Sequence, residues 1–264
     1  MGEVILITSG KGGTGKTSLC ASIGALLASL DKKVMLIDMD FGLRNLDVVT
    51  GLENFIFNNA FDVIKEKTDL KDALLQSKDN ENMFILPAPQ TKNADSITED
   101  EFKTFINKVK DDFDYILIDS PAGIGMGFTN LISSATRVIV VTTPEVMSVR
   151  DADKVVSILK SKRVFNINIL INRVRTDLEG KTDLVSVNDI EELIAADIIG
   201  VIPEDNEAYL LINHGETFEK SDSPAGKCLI KTVKRLLGEE IPLTVFGQEK
   251  GFFVKFAHIF KRKR

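Results

Sequence analysis

Short apolar runs recur along the whole chain, at residues 3–8, 33–38, 83–86, 114–119, 137–142, 166–172 and 198–202. Valine, isoleucine and leucine dominate them, without clean alternation between apolar and polar positions. A strand with one wet face alternates with a period of two. Unbroken runs of this length therefore predict strands buried on both faces of a parallel sheet. Between them, apolar residues recur at helical spacing and predict helices over 16–30, 59–66, 69–76, 98–111, 127–134, 148–162, 187–196, 205–213 and 224–237. Strand and helix alternate, so the expected class is α/β, a doubly wound and mostly parallel sheet with helices on both faces.

That rhythm stops near Gly238, where a connector opens with Glu239, Glu240, Ile241 and Pro242. The pattern divides the chain into a domain over 1–238, a linker over 239–250 and a short helix over 251–264. Composition adds little: 44% hydrophobic and 27% charged residues are ordinary for a soluble globular protein. No apolar run approaches the ~18 residues of a membrane span. The first strand follows the N-terminus directly, so no signal peptide is expected and the expected location is the cytoplasm. Cys20 and Cys228 stand apart, without metal-ligand spacing, and read as buried thiols. With only His214 and His258 available, a histidine zinc site or a Ser/His triad is not expected. His214, beside Gly215, reads as a helix-terminal turn residue.

Candidate chemistry begins where the first strand ends. Gly10-Lys11-Gly12-Gly13-Thr14-Gly15-Lys16-Thr17 fits G-x-x-x-x-G-K-[ST] between a strand and a helix. Glycines let backbone N–H groups curl around a polyphosphate, and the following helix, opening at Lys16, Thr17 and Ser18, adds its positive dipole end. Lys16 can reach the outer phosphates, and the Thr17 hydroxyl can ligate Mg²⁺. Lys11 is a second lysine that this pattern does not need. Two other strands end in acids: Asp38 and Asp40 after the second, and Asp119 before Ser120-Pro121-Ala122-Gly123. Ligands of doubly wound sheets bind at the carboxyl ends of strands, so the three acids should converge on the phosphates. Asp38 and Asp119 are the expected metal-side acids. Asp40, two residues from Asp38 in an extended segment, should point the same way and hold the attacking water. Taken singly, each could be a cap or turn former.

Charge picks out the other end. The net charge is −6, yet Lys255, Lys261, Arg262, Lys263 and Arg264 close the chain without an acid; without them 28 basic residues face 39 acidic, or −11. An acidic body argues against nucleic acid as a partner. On a helical wheel Phe252, Phe253, Phe256, Ile259 and Phe260 share an arc of about 120°, opposite Lys255, His258, Lys261 and Arg262; Val254 is out of place. An aromatic face with a basic back is the pattern of a helix lying in an anionic lipid surface. A core helix or a nucleic-acid tail fits less well, since neither needs both features. His258 reads as a polar-face residue, with a pH sensor as the alternative.

The loop with Lys11 and Lys16 resembles the deviant Walker A loop of the MinD/ParA ATPases. The MinD branch is matched further by Asp38-x-Asp40-x-Gly42-Leu43-Arg44-Asn45-Leu46-Asp47, by Asp119-Ser-Pro-Ala-Gly, by Pro144 to Asp153, by Gly200 to Asp205 and by the basic tail. The resemblance implies an ATP- and Mg²⁺-dependent ATPase that dimerises face to face, Lys11 crossing to the partner's phosphates. Asp40 would activate water. Asn172, with Arg173 beside it, would contact adenine, and Pro203, Glu204 and Asp205 would complete the base pocket. Asn45 and the segment with Ser148, Arg150, Asp151 and Asp153 would form a partner surface. The implied biology is a protein reversibly peripheral on the inner face of the cell membrane. It would place the division septum by recruiting the inhibitor MinC, with a MinE-like activator or a polar anchor. An aspartate base near its usual pKa implies slow hydrolysis. Other readings are a ParA-type partitioning ATPase, a flagellar-number regulator of the FlhG type (where an extension precedes the loop), and a nucleotide-gated scaffold without catalysis. The nitrogenase iron protein shares the loop but needs cluster cysteines.

Overall fold

The computed structural model describes residues 2–92, 94–176 and 185–243. Its strands are β1 (Glu3–Thr8), β2 (Val34–Asp38), β3 (Leu75–Gln76), β4 (Met83–Leu86), β5 (Tyr115–Asp119), β6 (Arg137–Thr142), β7 (Ile167–Val174) and β8 (Asp197–Pro203), and they form one sheet in the order β3-β4-β2-β5-β1-β6-β7-β8. All neighbours run parallel except β3 against β4. Every residue of β2, and all but the first of β1, β5 and β6, is buried, as the unbroken apolar runs require.

Successive side chains alternate faces, so each strand feeds two cores. Val4, Leu6, Met35, Ile37, Ile116, Ile118, Val138 and Val140 pack on one side. They meet α3 (Ala60–Ile64), α4 (Leu70–Ala73), α5 (Glu99–Val109), α6 (Met126–Thr129), α7 (Val146–Ser161) and α8 (Val187–Ile194). Ile5, Ile7, Leu36, Leu117, Ile139 and Val141 pack on the other, against α1 (Lys16–Ser29), α2 (Leu46–Val49) and α10 (Pro224–Leu236), with α9 (Asn206–Asn213) partly buried beside them. α1 is apolar nearly all round and mostly buried, which is what a central helix covered by others requires.

The order fixes where a ligand can sit. From β1 the chain passes over β5 to reach β2; from β5 it passes over β1 to reach β6. The winding reverses at β1, and the crevice at its carboxyl end is the topological switch point, where the glycine-rich loop lies.

Two predicted helices differ. The span 69–76 is a single turn, α4, followed by the antiparallel edge strand β3. The span 127–134 is α6 followed by a 3₁₀ turn over Ile132–Ser134. The short helix α2 was not anticipated. Cys20 and Cys228 are buried thiols, and His214 caps α9 ahead of Gly215 at φ 73°, both as expected. At the far end Arg235 donates to the carbonyls of Ile199, Ile241 and Pro242, tying the connector to α10 and β8. The rest of the linker and the expected helix with Phe252, Phe253, Lys255, Phe256, Ile259, Phe260, Lys261 and Arg262 lie outside the described residues.

Candidate functional site

The loop from Gly10 to Gly15 joins β1 to α1 at the switch point. Gly15 precedes the helix at φ 87°, a left-handed conformation costly for other residues, and a Cβ there would lie 2.3 Å from Asn172 Nδ2. Gly10 is needed for space: a Cβ would fall 2.5 Å from the carbonyl carbon of Asp151. The start of the loop is therefore sealed against the backbone of α7. Thr17 and Ser18 stand half-buried in the first turn of α1, and the Thr14 hydroxyl is buried without a partner among the described residues.

Register brings the acids together. Asp38 ends β2 and Asp119 ends β5, and the two are directly paired across these strands. Both are fully buried, and like charges placed so are unfavourable. Lys16 resolves this: its Nζ lies 2.5 Å from Asp119 Oδ1 and is itself 6% exposed. Burial works against the ammonium, but Asp119, then Asp40 and Asp38, outweigh it and raise its pKa. Burial, then Asp119, pushes Asp38 up to about 8. Burial first, and Asp119 again, drives the Cys20 thiol well up, which makes it inert.

Asp38 and Asp40 both feel Lys16 and Asp119, but they differ in burial and in backbone partners. Asp38 Oδ1 accepts from Asp40 N at 2.9 Å, and its Oδ2 accepts from Leu46 N at 3.1 Å. The strand ends there, and Leu43 N and Arg44 N both return to the Asp40 carbonyl. Asp38 thus holds the loop that carries Asp40. In the metal-free structure both of its oxygens are engaged by backbone N–H groups. The oxygen that suits a metal or its water is Asp119 Oδ2, buried and without a hydrogen-bond partner among the described residues. With the hydroxyl of Thr17, the residue after Lys16, this donor set has the oxygen chemistry that Mg²⁺ prefers. Asp40 is only half-buried, and burial, with Asp119, raises its carboxyl although Lys16 opposes. The expected ordinary aspartate pKa is therefore corrected upward, toward a better base.

β7 and β8 end side by side and bring the expected base-pocket residues together. Asn172 is buried, and its Nδ2 donates to the Thr14 carbonyl at 2.8 Å. Arg173 is exposed at φ 55°. Pro203 is buried opposite Val174, Glu204 N bonds the Val174 carbonyl at 2.9 Å, and Glu204 pairs with Arg175. The Asp205 carboxylate caps α9 through Glu207 N and Ala208 N and also accepts from Ala225 N, so only its backbone remains for a ligand. Despite partial burial, these backbone bonds lower its pKa.

On the expected partner surface Asn45 and Arg150 are exposed, while Asp151 and Asp153 are half-buried; burial raises the Asp153 carboxyl. Ser148 does not belong there. It is 2% exposed, and its hydroxyl accepts from Thr143 N at 3.0 Å and bonds the Thr142 hydroxyl. Its spacing to Ala152, Val155 and Leu159 was the available signal of the buried stripe. Two pairings were missed. Arg44, at φ 48°, donates to buried Asp47 and to the Glu53 carbonyl, closing the loop after Asp40. Lys11 Nζ lies 2.6 Å from Glu145 Oε2, on the residue that precedes α7.

Comparison with known proteins agrees with this geometry. The AAA domain family profile matches residues 2–171. The septum site-determining protein MinD of Synechocystis is 42% identical over 93% of both chains. The MinC:MinD cell division complex of Aquifex aeolicus superposes with a TM-score of 0.86 at 41% identity, over 93% of this chain and 100% of that one. MinD of Pyrococcus horikoshii, complexed with Mg-ADP, gives 0.79 at 28% identity, over 91% and 100%.

Proposed function

The chain belongs to the MinD family of septum site-determining ATPases, and from that premise we propose an ATP-driven dimerisation cycle that positions the division septum. ATP with Mg²⁺ binds the loop. Thr17 and Asp119 hold the metal side, Lys16 neutralises the phosphates, and Asp40 orients and deprotonates the water. Mg²⁺ held there would supply Lewis-acid stabilisation of the charge on the transferred phosphoryl group. Binding pairs two copies face to face, with Lys11 of each against the other's phosphates. The paired state attaches to anionic lipid through the 251–264 segment, on the inner face of the membrane, and recruits the division inhibitor MinC. Hydrolysis, quickened by a MinE-like activator or tuned at a polar anchor, releases it. That one relative is complexed with Mg-ADP, and another with MinC, supports the nucleotide and the partner.

The observation that carries this reading is the division of labour between two lysines. Lys16 is buried in its own acid cluster, whereas Lys11 stands at the solvent edge of the same loop. A single active site has no use for the second. The test compares Lys16→Ala with Asp40→Ala by nucleotide binding, size-exclusion chromatography and phosphate release. Lys16→Ala should lose ATP-dependent dimerisation, while Asp40→Ala should dimerise and lose turnover. Normal turnover in Asp40→Ala would sink its assignment as the base.

A further inference from the structure

In this structure Lys11 is not waiting free for a second copy. Its ammonium sits 2.6 Å from Glu145 of the same chain, with the two side chains 35% and 58% exposed. Three features fix this geometry. The Lys11 carbonyl accepts from the Ser9 hydroxyl at 2.9 Å. Gly10 is pressed on Asp151. Ser148 anchors the turn that leads from β6 into α7 by accepting from Thr143 N. The loop and the first turns of α7 are therefore one packed unit, and Glu145 lies at its rim within reach of Lys11. Beyond the pair the loop is bare: at Gly12 and Gly13 an added Cβ would meet nothing within 4 Å, so this crest is open to an approaching chain.

We propose that Glu145 parks Lys11 in the monomer and yields it when a second copy binds, so that Glu145 is a positioning residue that sets the dimerisation threshold. The proposal rests on the reading that Lys11 crosses to the partner's phosphates. One ammonium cannot keep a 2.6 Å contact at home and also reach a phosphate across the interface unless the pair opens. Opening is inexpensive for two reasons. The pair is half-exposed, so water screens it and replaces much of the lost contact. Glu145 also occupies the N-cap position of α7, where the helix dipole stabilises an unpaired carboxylate. Parking stops an unpaired lysine at the loop rim from engaging other anions, and it biases the lysine without locking it.

The experiment uses the full chain and Glu145→Gln, which keeps shape and removes charge, with Glu145→Asp as the charge-retaining control. The first readout is the labelling rate of the Lys11 amine by an acetylating reagent in nucleotide-free monomer, followed by peptide mass spectrometry. The second is the protein concentration at half-dimerisation, by analytical ultracentrifugation with a non-hydrolysable ATP analogue and Mg²⁺. Glu145→Gln should label faster and dimerise at a concentration lower by about 2- to 30-fold, the range expected when two exposed ion pairs open per dimer. Its advantage should shrink as salt screens the pair in the wild type, and Glu145→Asp should lie in between. An unchanged labelling rate, or a dimer no tighter than wild type, overturns the proposal. If the wild type does not dimerise with the analogue, the reading beneath it fails instead, and the labelling rate still decides whether Lys11 is parked.

Discussion

Asp38 shows how one residue type serves different ends a few ångströms apart. Asp38, Asp40 and Asp119 look alike in sequence, and convergence was legible because strand ends in this topology must meet. Their roles were not legible, because they depend on which oxygens the backbone engages. Asp38 accepts from Asp40 N and from the buried Leu46 N, whereas Asp119 Oδ2 has no such partner among the described residues. Asp38→Ala should therefore act on the loop first. It leaves the Leu46 N–H unsatisfied, at a cost of about 1–3 kcal/mol in the metal-free protein. Denaturant unfolding checks the cost. Calorimetry with Mg²⁺ and nucleotide should show that Asp119→Asn loses more metal dependence than Asp38→Ala. The reverse order would make Asp38 the main metal-side acid.

At the scale of elements, period was a good guide to the long helices and a poor one where contacts from elsewhere decide. Residues 69–76 have helical composition, but Leu75 and Gln76 pair with Ile85 and Phe84 of β4, and a neighbouring strand's free edge is not written in the local sequence. α5 is the opposite case. Thr98 accepts from Glu101 N at 3.4 Å while Glu101 Oε2 accepts from Thr98 N at 2.9 Å, a capping box readable from the spacing alone. Thr98→Ala should cost about 1 kcal/mol, measured by chemical denaturation. The partner from α3 was not readable: Lys65, just past its end, holds Glu101 at 2.7 Å. That contact, then Thr98, lowers the Glu101 carboxyl to about 2. A depressed carboxylate stabilises above its unfolded pKa, near 4.5, and loses that contribution as pH falls toward about 2. Glu101→Gln should accordingly flatten the acid limb of a stability–pH curve over that window, modestly, since the pair is partly exposed. An unaltered acid limb would show that the pairing is not formed in solution.

For the whole molecule, the question is how a shared phosphate site could govern attachment to a membrane through a segment at the opposite end of the chain. No helix among the described residues is long and apolar enough to cross a membrane; the anchor proposed above is the amphipathic 251–264 sequence. An isolated helix of three turns is marginal in water, so an anchor of this length would need lipid to cover its aromatic residues. Each basic residue near an anionic surface adds about 1 kcal/mol, so a single tail holds weakly. Two tails on one dimer make the second contact intramolecular, and effective concentration then converts weak contacts into firm ones. Attachment should therefore follow the nucleotide state without any change in the tail. Co-sedimentation with anionic vesicles should be strong with ATP and weak with ADP for the full chain. It should be weak with either for Lys16→Ala and absent for a chain ending at Lys250. Added salt should loosen all of it, because salt screens the attraction between basic residues and an anionic surface. Full sedimentation of the shortened chain would place the anchor elsewhere. Tight binding of Lys16→Ala would mean that one tail suffices, and that ATP controls something other than avidity.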